Sequence, residues 1–368
     1  MSKKSFKLPP LSPLIGTNLI NYIRISRKRK IAGRYWLKYI LTILIILIFT
    51  PLRWYERWYL RKKRSHRIEK PVFILGHWRS GTTLLHNLLC QSPNAAFVTT
   101  YQTVFTQYLG SSKILKPFMG FIMPDKRPSD NVKLNVDYPQ EEEFALCNLT
   151  EASYYHFFYF PDDTTEYFDR YVRFSHGADK WKNSYAELLR RAGYIMRERP
   201  YLVIKNPVNT GRLGVLRELY PDGRFIHIYR NPYVVFLSTK KFFLELMPTL
   251  WFHEFSEEDI EEMILETYLK LMELYDRDHA LNGQVVDVKF EEFEKNPLES
   301  LKNIYEQLGM TMFEQDRSSF ESYLASQKGY RKNKYSISRR EYDLVTNRWQ
   351  VYLERWNYGL PPNMEIVD

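Results

Sequence analysis

The sequence contains little cysteine and no arrangement of cysteines or histidines that is typical of a zinc site. Its 368 residues include two cysteines, Cys90 and Cys147, and both fall in apolar stretches with a helical pattern. We expect both to be buried thiols, and their scarcity favours a reducing compartment. Internal repeats and low-complexity linkers are also missing, so the chain is expected to form one globular unit with appendages rather than two equal domains.

An uncharged hydrophobic run long enough to cross a bilayer is missing as well. The uncharged apolar segment 39–52 has about 14 residues, whereas a straight spanning helix needs about 20. Extending it to residues 35–54 reaches that length but includes Lys38 and Arg53. Basic residues then flank the segment on both sides, which disagrees with the charge asymmetry of spanning segments.

The chain carries a net charge of +10, and much of this excess lies in its first 70 residues. We therefore expect residues 1–67 to form a basic segment whose helix, about 35–54, associates with an anionic cytoplasmic membrane face without simply spanning it. The aromatic residues expected at the headgroup level are Trp36, Trp54, Tyr55, Trp58 and Tyr59. The alternatives are a spanning segment, as in type II Golgi proteins, and a buried core helix. Nucleic acid is not an expected partner.

Residues 68–368 alternate short apolar runs with amphipathic helical patterns. This predicts an α/β domain with a P-loop-like parallel sheet of about five strands flanked by helices. The predicted strands are 72–75, 96–99, 201–205, 225–229 and 285–290. The predicted helices are 82–90, 211–220, 232–246, 257–276, 297–308 and 338–356. Ligands of such sheets bind beyond the carboxyl ends of the strands.

The segment 71–83, PVFILGHWRSGTT, joins the first predicted strand of this domain to its first helix. A loop that binds nucleoside triphosphates has the pattern GxxxxGK[ST], in which the lysine contacts the phosphates. Gly76 and Gly81 occupy the glycine positions here, but Thr82 replaces the lysine, which weakens a triphosphate interpretation. A helix N-terminus with free N–H groups remains, and it suits an anion without a metal. The residues concerned are Arg79, Ser80, Gly81, Thr82 and Thr83.

A second turn from strand to helix follows about 150 residues later. The strand ends at Arg230, and Pro232 suits the first position of the following helix. Ser238 lies eight residues after Arg230. The turn and helix can therefore bring the guanidinium and the hydroxyl to one phosphate.

Together, the two motifs resemble those of the sulfotransferases that use 3'-phosphoadenosine 5'-phosphosulfate (PAPS), over about residues 70–308 with a weaker tail to 358. The resemblance implies that residues 79–83 hold the 5'-phosphosulfate and that Arg230 and Ser238 hold the 3'-phosphate. It also implies transfer of a sulfuryl group from PAPS to a hydroxyl acceptor without a metal. In related enzymes a late basic loop closes over the nucleotide, a role that suits Lys332, Lys334 and Tyr335.

Lys205 ends the apolar strand 201–205 and precedes a short turn with a proline, as in this family. A lysine at the end of a buried strand is difficult to explain by structure alone. Its functional interpretation is a cation that, with Arg79, stabilises the charge developing on the leaving group. The structural alternative is a lysine whose ammonium reaches solvent.

A hydroxyl acceptor also requires a group that takes its proton. The candidates are the consecutive glutamates Glu141, Glu142 and Glu143 at the start of a predicted helix, although the helix dipole alone favours acids there. The next candidates are His77, His156 and His86, of which His86 is expected to pack in a helix. The glutamate of the protein-tyrosine branch is replaced by Val-Thr-Thr at 98–100, which disfavours a protein-tyrosine acceptor.

Aromatic residues make up 16% of the chain, and many lie between the two motifs. Most must belong to the core. An apolar pocket beside a membrane helix favours a lipophilic alcohol, such as a sterol or glycolipid, over a free saccharide. Two other classes remain open: a P-loop kinase, which requires ATP and magnesium, and a non-catalytic basic membrane-binding protein.

Overall fold

A parallel sheet of five strands lies at the centre of the fold. The computed structural model describes residues 11–61, 70–123, 134–196, 198–280, 285–327 and 335–368. Within these ranges the strands of the central sheet are β1 (Val72–Leu75), β2 (Ala95–Ala96), β3 (Tyr201–Lys205), β4 (Arg224–Tyr229) and β5 (Val285–Lys289). Their order is β2-β3-β1-β4-β5, and all neighbouring pairs are parallel. A separate parallel pair consists of β6 (Ile337–Ser338) and β7 (Ile366–Val367).

The helices surround this sheet. They are α1 (Leu19–Ser26), α2 (Trp36–Arg61), α3 (Thr82–Leu89), α4 (Thr100–Phe105), α5 (Ser112–Ile122), α6 (Glu142–Leu149), α7 (Thr164–Tyr171), α8 (Asp179–Ile195), α9 (Leu213–Leu219), α10 (Pro232–Leu250), α11 (Glu257–His279), α12 (Phe290–Lys295), α13 (Pro297–Gln307), α14 (Phe313–Ser326) and α15 (Arg339–Arg355).

Both faces of the sheet are covered, which explains why its inner strands are continuous apolar runs. Along β1, Val72 and Ile74 pack into one core, whereas Phe73 and Leu75 pack into a larger core on the opposite face. This alternation follows from the two-residue period of a strand. The predicted α/β class, with about five parallel strands flanked by helices, is confirmed.

The register brings the carboxyl ends of the inner strands to one edge. Ile74 of β1 lies opposite Lys205 of β3 and Ile226 of β4. The segments that follow β1, β3 and β4 therefore leave the sheet side by side. This edge is where the two predicted anion-binding motifs meet.

One predicted strand and one predicted helix have different bounds in the structure. The strand predicted at 96–99 is shorter and starts one residue earlier, because β2 spans Ala95–Ala96 and Thr99 instead caps α4. Thr99 and Gln102 form a reciprocal capping box, with the Thr99 N–H donating to the Gln102 side chain at 2.8 Å, which favours a helix start over a strand. The helix predicted at 211–220 begins as a 3-10 segment, Pro207–Arg212, and continues as α9.

The N-terminal helix α2 is longer than the predicted 35–54 and packs along the α/β body. Lys38 near its start donates to the carbonyls of Thr249, Leu250 and Trp251, where α10 ends, at 2.8–3.2 Å. Glu56 near its end accepts from the Gly110 N–H at 2.7 Å. The stretch Gly33–Leu60 is long and apolar enough to cross a membrane by length and composition, and little of it is buried.

The turn after β1 depends on a glycine at position 76. Gly76 has φ of +133°, and a Cβ there would lie 2.3 Å from the carbonyl oxygen of Ile228 in β4. Its N–H donates to Thr210 Oγ1 at 2.8 Å. Gly76 thus lies between the end of β1, strand β4 and the 3-10 segment Pro207–Arg212. Only a residue without a side chain fits there.

We therefore expect Gly76→Ala to lower the free energy of unfolding by about 3 kcal/mol, because it adds backbone strain and a steric clash. Chemical denaturation of the purified chain measures this change. Gly359→Ala is the matched control, since a Cβ at position 359 has no neighbour within 4 Å. Equal stability of the two variants would contradict the requirement for glycine at position 76.

Candidate active site

The two predicted anion-binding motifs converge on one point of the sheet edge. Arg79 in the loop after β1 has φ of +68° and donates from Nε to Ser238 Oγ at 2.8 Å. Arg230 at the end of β4 donates to the carbonyl oxygen of Arg79 at 3.3 Å. Tyr335 adds a third side chain by donating to Ser238 Oγ at 3.1 Å. Two guanidinium groups and two hydroxyls therefore lie in a single cluster.

Phe290, at the start of α12, packs against this cluster. Its ring lies against Arg230, with 4.3 Å between the guanidinium carbon and the ring centroid. The same ring occupies the space beside Gly81, where a Cβ would approach it to 2.1 Å. Burial lowers the pKa of Arg230, and an anion bound beside it would offset that cost.

Gly81 starts α3 in a left-handed conformation, with φ of +97°. The first N–H groups of the helix, at Thr82 and Thr83, have no acceptor within the helix itself. The two threonines have different surroundings. Thr82 is buried and its methyl group faces Gly76, whereas Thr83 Oγ1 lies 3.5 Å from Lys205 Nζ.

Lys205 contacts both the start of α3, after the first loop, and an acidic residue. Its side chain is 1% exposed and its ammonium donates to Thr83 Oγ1 and forms an ion pair with Glu141 Oε1. Glu141 lies immediately before α6 and is partly accessible. A cation and a carboxylate are thus placed between the loop and the aromatic residues that follow α6.

Tyr155 joins Glu141 to the first loop. Its hydroxyl donates to Glu141 Oε2 at 2.6 Å and accepts from Trp78 Nε1 at 3.1 Å. Trp78 precedes Arg79 in the loop, and its ring stacks near that of Tyr155 with centroids 6.0 Å apart. A continuous chain of contacts therefore runs from the loop through Tyr155 and Glu141 to Lys205.

Glu143 points away from this chain into a different ion pair. Both oxygens accept from Arg212, at 2.7 and 3.0 Å, and both residues are fully buried. Asn206, Ser153 and the Tyr154 N–H donate further hydrogen bonds. Burial acts to raise the pKa of Glu143, but the Arg212 guanidinium and these hydrogen bonds outweigh it and lower the pKa.

Glu142 lies in a third environment. Its Oε1 accepts from Tyr185 and from Asn209 Nδ2, each at 2.8 Å. Burial, reinforced by the neighbouring Glu143, raises the pKa of Glu142 to about 7. The three consecutive glutamates therefore contact three different sets of residues, and among them Glu141 pairs with Lys205.

The histidines considered from the sequence are buried. His77 packs its ring against Trp78 and Tyr268, and burial lowers its pKa to about 3. Burial also lowers the pKa of His156 to about 4 and that of His86 well below its ordinary value. Deeply buried imidazoles of this kind are poor proton acceptors near neutral pH.

Several site residues were not identified from the sequence. Tyr155, Arg212, Asn206 and Phe290 act through contacts across the fold, and their spacing along the chain carries no signal of this. Ser80 is buried within the first loop. Lys332 and Lys334 lie outside the described residues, so of the late basic loop the structure describes Tyr335.

Comparison with known proteins identifies the family. A sequence profile described as the sulfotransferase family matches residues 71–315. The chain belongs to the sulfotransferase family. It is thus a sulfotransferase enzyme, as the two motifs predicted.

Two curated relatives support this assignment. The proteins named omega-hydroxy-beta-dihydromenaquinone-9 sulfotransferase Stf3 from Mycobacterium bovis and Mycobacterium tuberculosis are each 29% identical to the sulfotransferase described here over 263 residues. The alignment covers 70% of this chain and 67% of each relative.

Solved structures share the fold. The sulfotransferase STF1 from Mycobacterium tuberculosis H37Rv has a TM-score of 0.63 at 18% identity, covering 90% of this chain and 89% of its own. The sulfotransferase STF9 from Mycobacterium avium has a TM-score of 0.62 at 16% identity, covering 80% and 78%. At these identities the similarity shows the fold alone.

The environment of Glu142 yields a prediction about stability and pH. Its folded pKa of about 7 lies above the ordinary value of 4.5, so its stabilising contribution is complete below about pH 4.5 and is lost as the pH rises through 7. Glutamine keeps the neutral form at all pH values. We expect the stability of the wild type relative to Glu142→Gln to fall by on the order of 3 kcal/mol between pH 5 and pH 8.

Chemical denaturation of both proteins across this pH range checks the prediction. Because other titrating groups are shared, their contributions cancel in the difference between the two proteins. A difference that stays constant, or that increases with pH, would contradict the raised pKa.

Proposed function

We propose that this sulfotransferase uses PAPS as its donor and transfers the sulfuryl group to a hydroxyl acceptor, with no metal required. The observation that carries the proposal is the position of Lys205, which contacts both Thr83 of the donor loop and Glu141. A single ammonium therefore lies between the residues suited to an anionic donor and a carboxylate suited to accept a proton.

The residues on the donor side fit a molecule with two separate phosphate groups. The loop 79–83 offers helix N-terminal N–H groups, Arg79 and the Thr83 hydroxyl for the 5'-phosphosulfate. Arg230 and Ser238 suit the 3'-phosphate, and Tyr335 adds a donor beside Ser238. Bound PAPS supplies the activated sulfuryl group, while these residues hold its charges in place.

On the acceptor side, we propose Glu141 rather than Glu142 or Glu143 as the base. Glu141 is partly accessible, whereas Glu142 and Glu143 are fully buried and occupied by other partners. Glu141 takes the proton of the acceptor hydroxyl, and Lys205 stabilises negative charge on the oxygen that leaves the sulfur. Tyr155 orients Glu141 through its hydrogen bond to Oε2.

For the acceptor, we propose a lipophilic alcohol, with a saccharide as the alternative. Buried aromatic side chains surround Trp78; they are Tyr154, Tyr155, Phe157 and Phe243. Of these, Tyr155 contacts Glu141. The relative Stf3 is named for a hydroxylated menaquinone, which is itself lipophilic. The apolar exposed side of α2 supports a location at the cytoplasmic face of a membrane, with a type II Golgi protein as the alternative.

Binding of adenosine 3',5'-bisphosphate, the desulfated product, tests the donor. We expect this ligand to bind to detergent-solubilised protein and Arg230→Ala to weaken binding by about tenfold to a hundredfold, because a charge-assisted contact to phosphate is lost. Isothermal titration calorimetry measures both affinities. ATP with magnesium is the comparison ligand, and binding of ATP alone, or of neither ligand, would overturn the proposed use of PAPS.

Replacing each glutamate separately tests the base. We expect Glu141→Gln to lower kcat by about 10² to 10⁴, as for loss of a general base, because the amide cannot take the proton. Glu142→Gln is the matched control, and it should retain kcat at neutral pH. Transfer of the radiolabelled sulfuryl group from PAPS to a long-chain alcohol provides the assay. A larger loss of kcat in Glu142→Gln than in Glu141→Gln would show that Glu141 is not the base.

A further inference from the structure

The helix α2 presents one continuous apolar side to solvent. Its exposed apolar residues recur about every three or four positions; they are Trp36, Leu37, Ile40, Leu44, Leu47, Ile48, Pro51, Trp54, Tyr55 and Trp58. This spacing places them on one side of a helix. Ile48, near the middle, is 69% exposed. A row of this length on a folded protein marks a contact surface.

The opposite side of α2 is fastened to the protein near both ends. Lys38 and Glu56 are buried and bind backbone groups of the body, and Ile46 between them is fully buried. At 1.5 Å per residue, the two charged residues are about 27 Å apart along the helix. A helix that spans a bilayer would have to release both of them or carry the α/β body into the lipid.

A second apolar side adjoins the first. In α5, Ile114, Phe118 and Phe121 follow one another at helical spacing, and all three are exposed, Phe121 to 82%. The ring of Phe118 packs edge-on against Phe49 of α2, with centroids 6.0 Å apart. The two helices therefore meet, and each has exposed apolar residues outside the contact.

Charge identifies the partner of this surface. Residues 1–68 contain a single acidic residue, Glu56, which is buried. Exposed basic residues lie around and along α1 and α2, at Arg24, Arg27, Lys28, Lys30 and Arg57. A second copy of this chain would bring like charges together, whereas anionic lipid headgroups attract them. Tryptophan and tyrosine among the exposed residues also suit the headgroup region.

We propose that α2 and α5 together form a surface that lies in the plane of an anionic membrane leaflet, so that α2 is an in-plane helix and not a spanning one. The basic residues contact headgroups while the exposed apolar side chains enter the outer part of the leaflet. This inference deepens the membrane location proposed above. Its test does not use enzymatic activity, so it can fail or succeed independently of the reaction.

Vesicle sedimentation tests the surface. The full chain, transferred from detergent, is mixed with vesicles of phosphatidylcholine alone or of phosphatidylcholine with an equal part of phosphatidylglycerol. We expect stronger binding to the anionic vesicles and a loss of about tenfold or more for Ile48→Glu and for Phe121→Glu, since each places a charge in apolar surroundings. Val351→Glu is the matched control, because Val351 is 68% exposed on α15, outside this surface, and should bind as the wild type does.

Depth measurements distinguish an in-plane helix from a spanning one. Both native cysteines are buried, so nitroxide labels attach at Ile40→Cys, Leu47→Cys and Trp58→Cys. An in-plane helix places all three at similar depths of about 5–10 Å. A depth that is greatest at Leu47, with the ends on opposite sides of the bilayer, would overturn the proposal. Labels that stay in water, or that become buried through dimer formation without vesicles, would overturn it as well.

Discussion

Charges buried at the carboxyl edge of the sheet must be neutralised by close partners, and this constraint organises the site. Lys205 at the end of β3 pairs with Glu141, and Arg212 pairs with Glu143. Both carboxylates belong to the start of α6, so α6 is held against the sheet by cations from a neighbouring strand and the segment after it. Removing one partner of a buried pair costs about 3–5 kcal/mol, because the other charge is then left buried without compensation.

The same constraint gives three adjacent glutamates different chemistry. Glu141 precedes α6 with an extended backbone, whereas Glu142 and Glu143 point about 100° apart on its first turn, so the three side chains enter separate environments. Glu143 is committed to a buried ion pair, and Glu142 is held in a neutral form at acidic pH by burial. Glu141 pairs with a cation and keeps partial access to solvent, so among the three it is the carboxylate that an acceptor hydroxyl can reach.

A single helix connects the proposed donor site with the N-terminal surface. α10 begins at Pro232 beside Arg230 and carries Ser238, which accepts from Arg79. Its last carbonyls accept from Lys38 of α2, a cation at the negative end of the helix dipole. The surface that we assign to the membrane and the residues assigned to the donor are thus attached to opposite ends of one rigid element.

The sequence by itself determined the sheet class and the family and located the two turns from strand to helix that meet at the site, because apolar runs, glycine positions and strand-end cations are local features. It also indicated Lys205, since a lysine that ends a buried strand needs a special reason. Only the tertiary structure distinguished Glu141 from its neighbours and brought in Tyr155 and Phe290, because a residue's partner depends on which elements pack together and not on its neighbours in sequence. The tertiary structure likewise decided which side of α2 packs on the α/β domain. Lys38 and Glu56 lie on that side, and the backbone groups that they bind are far away along the chain.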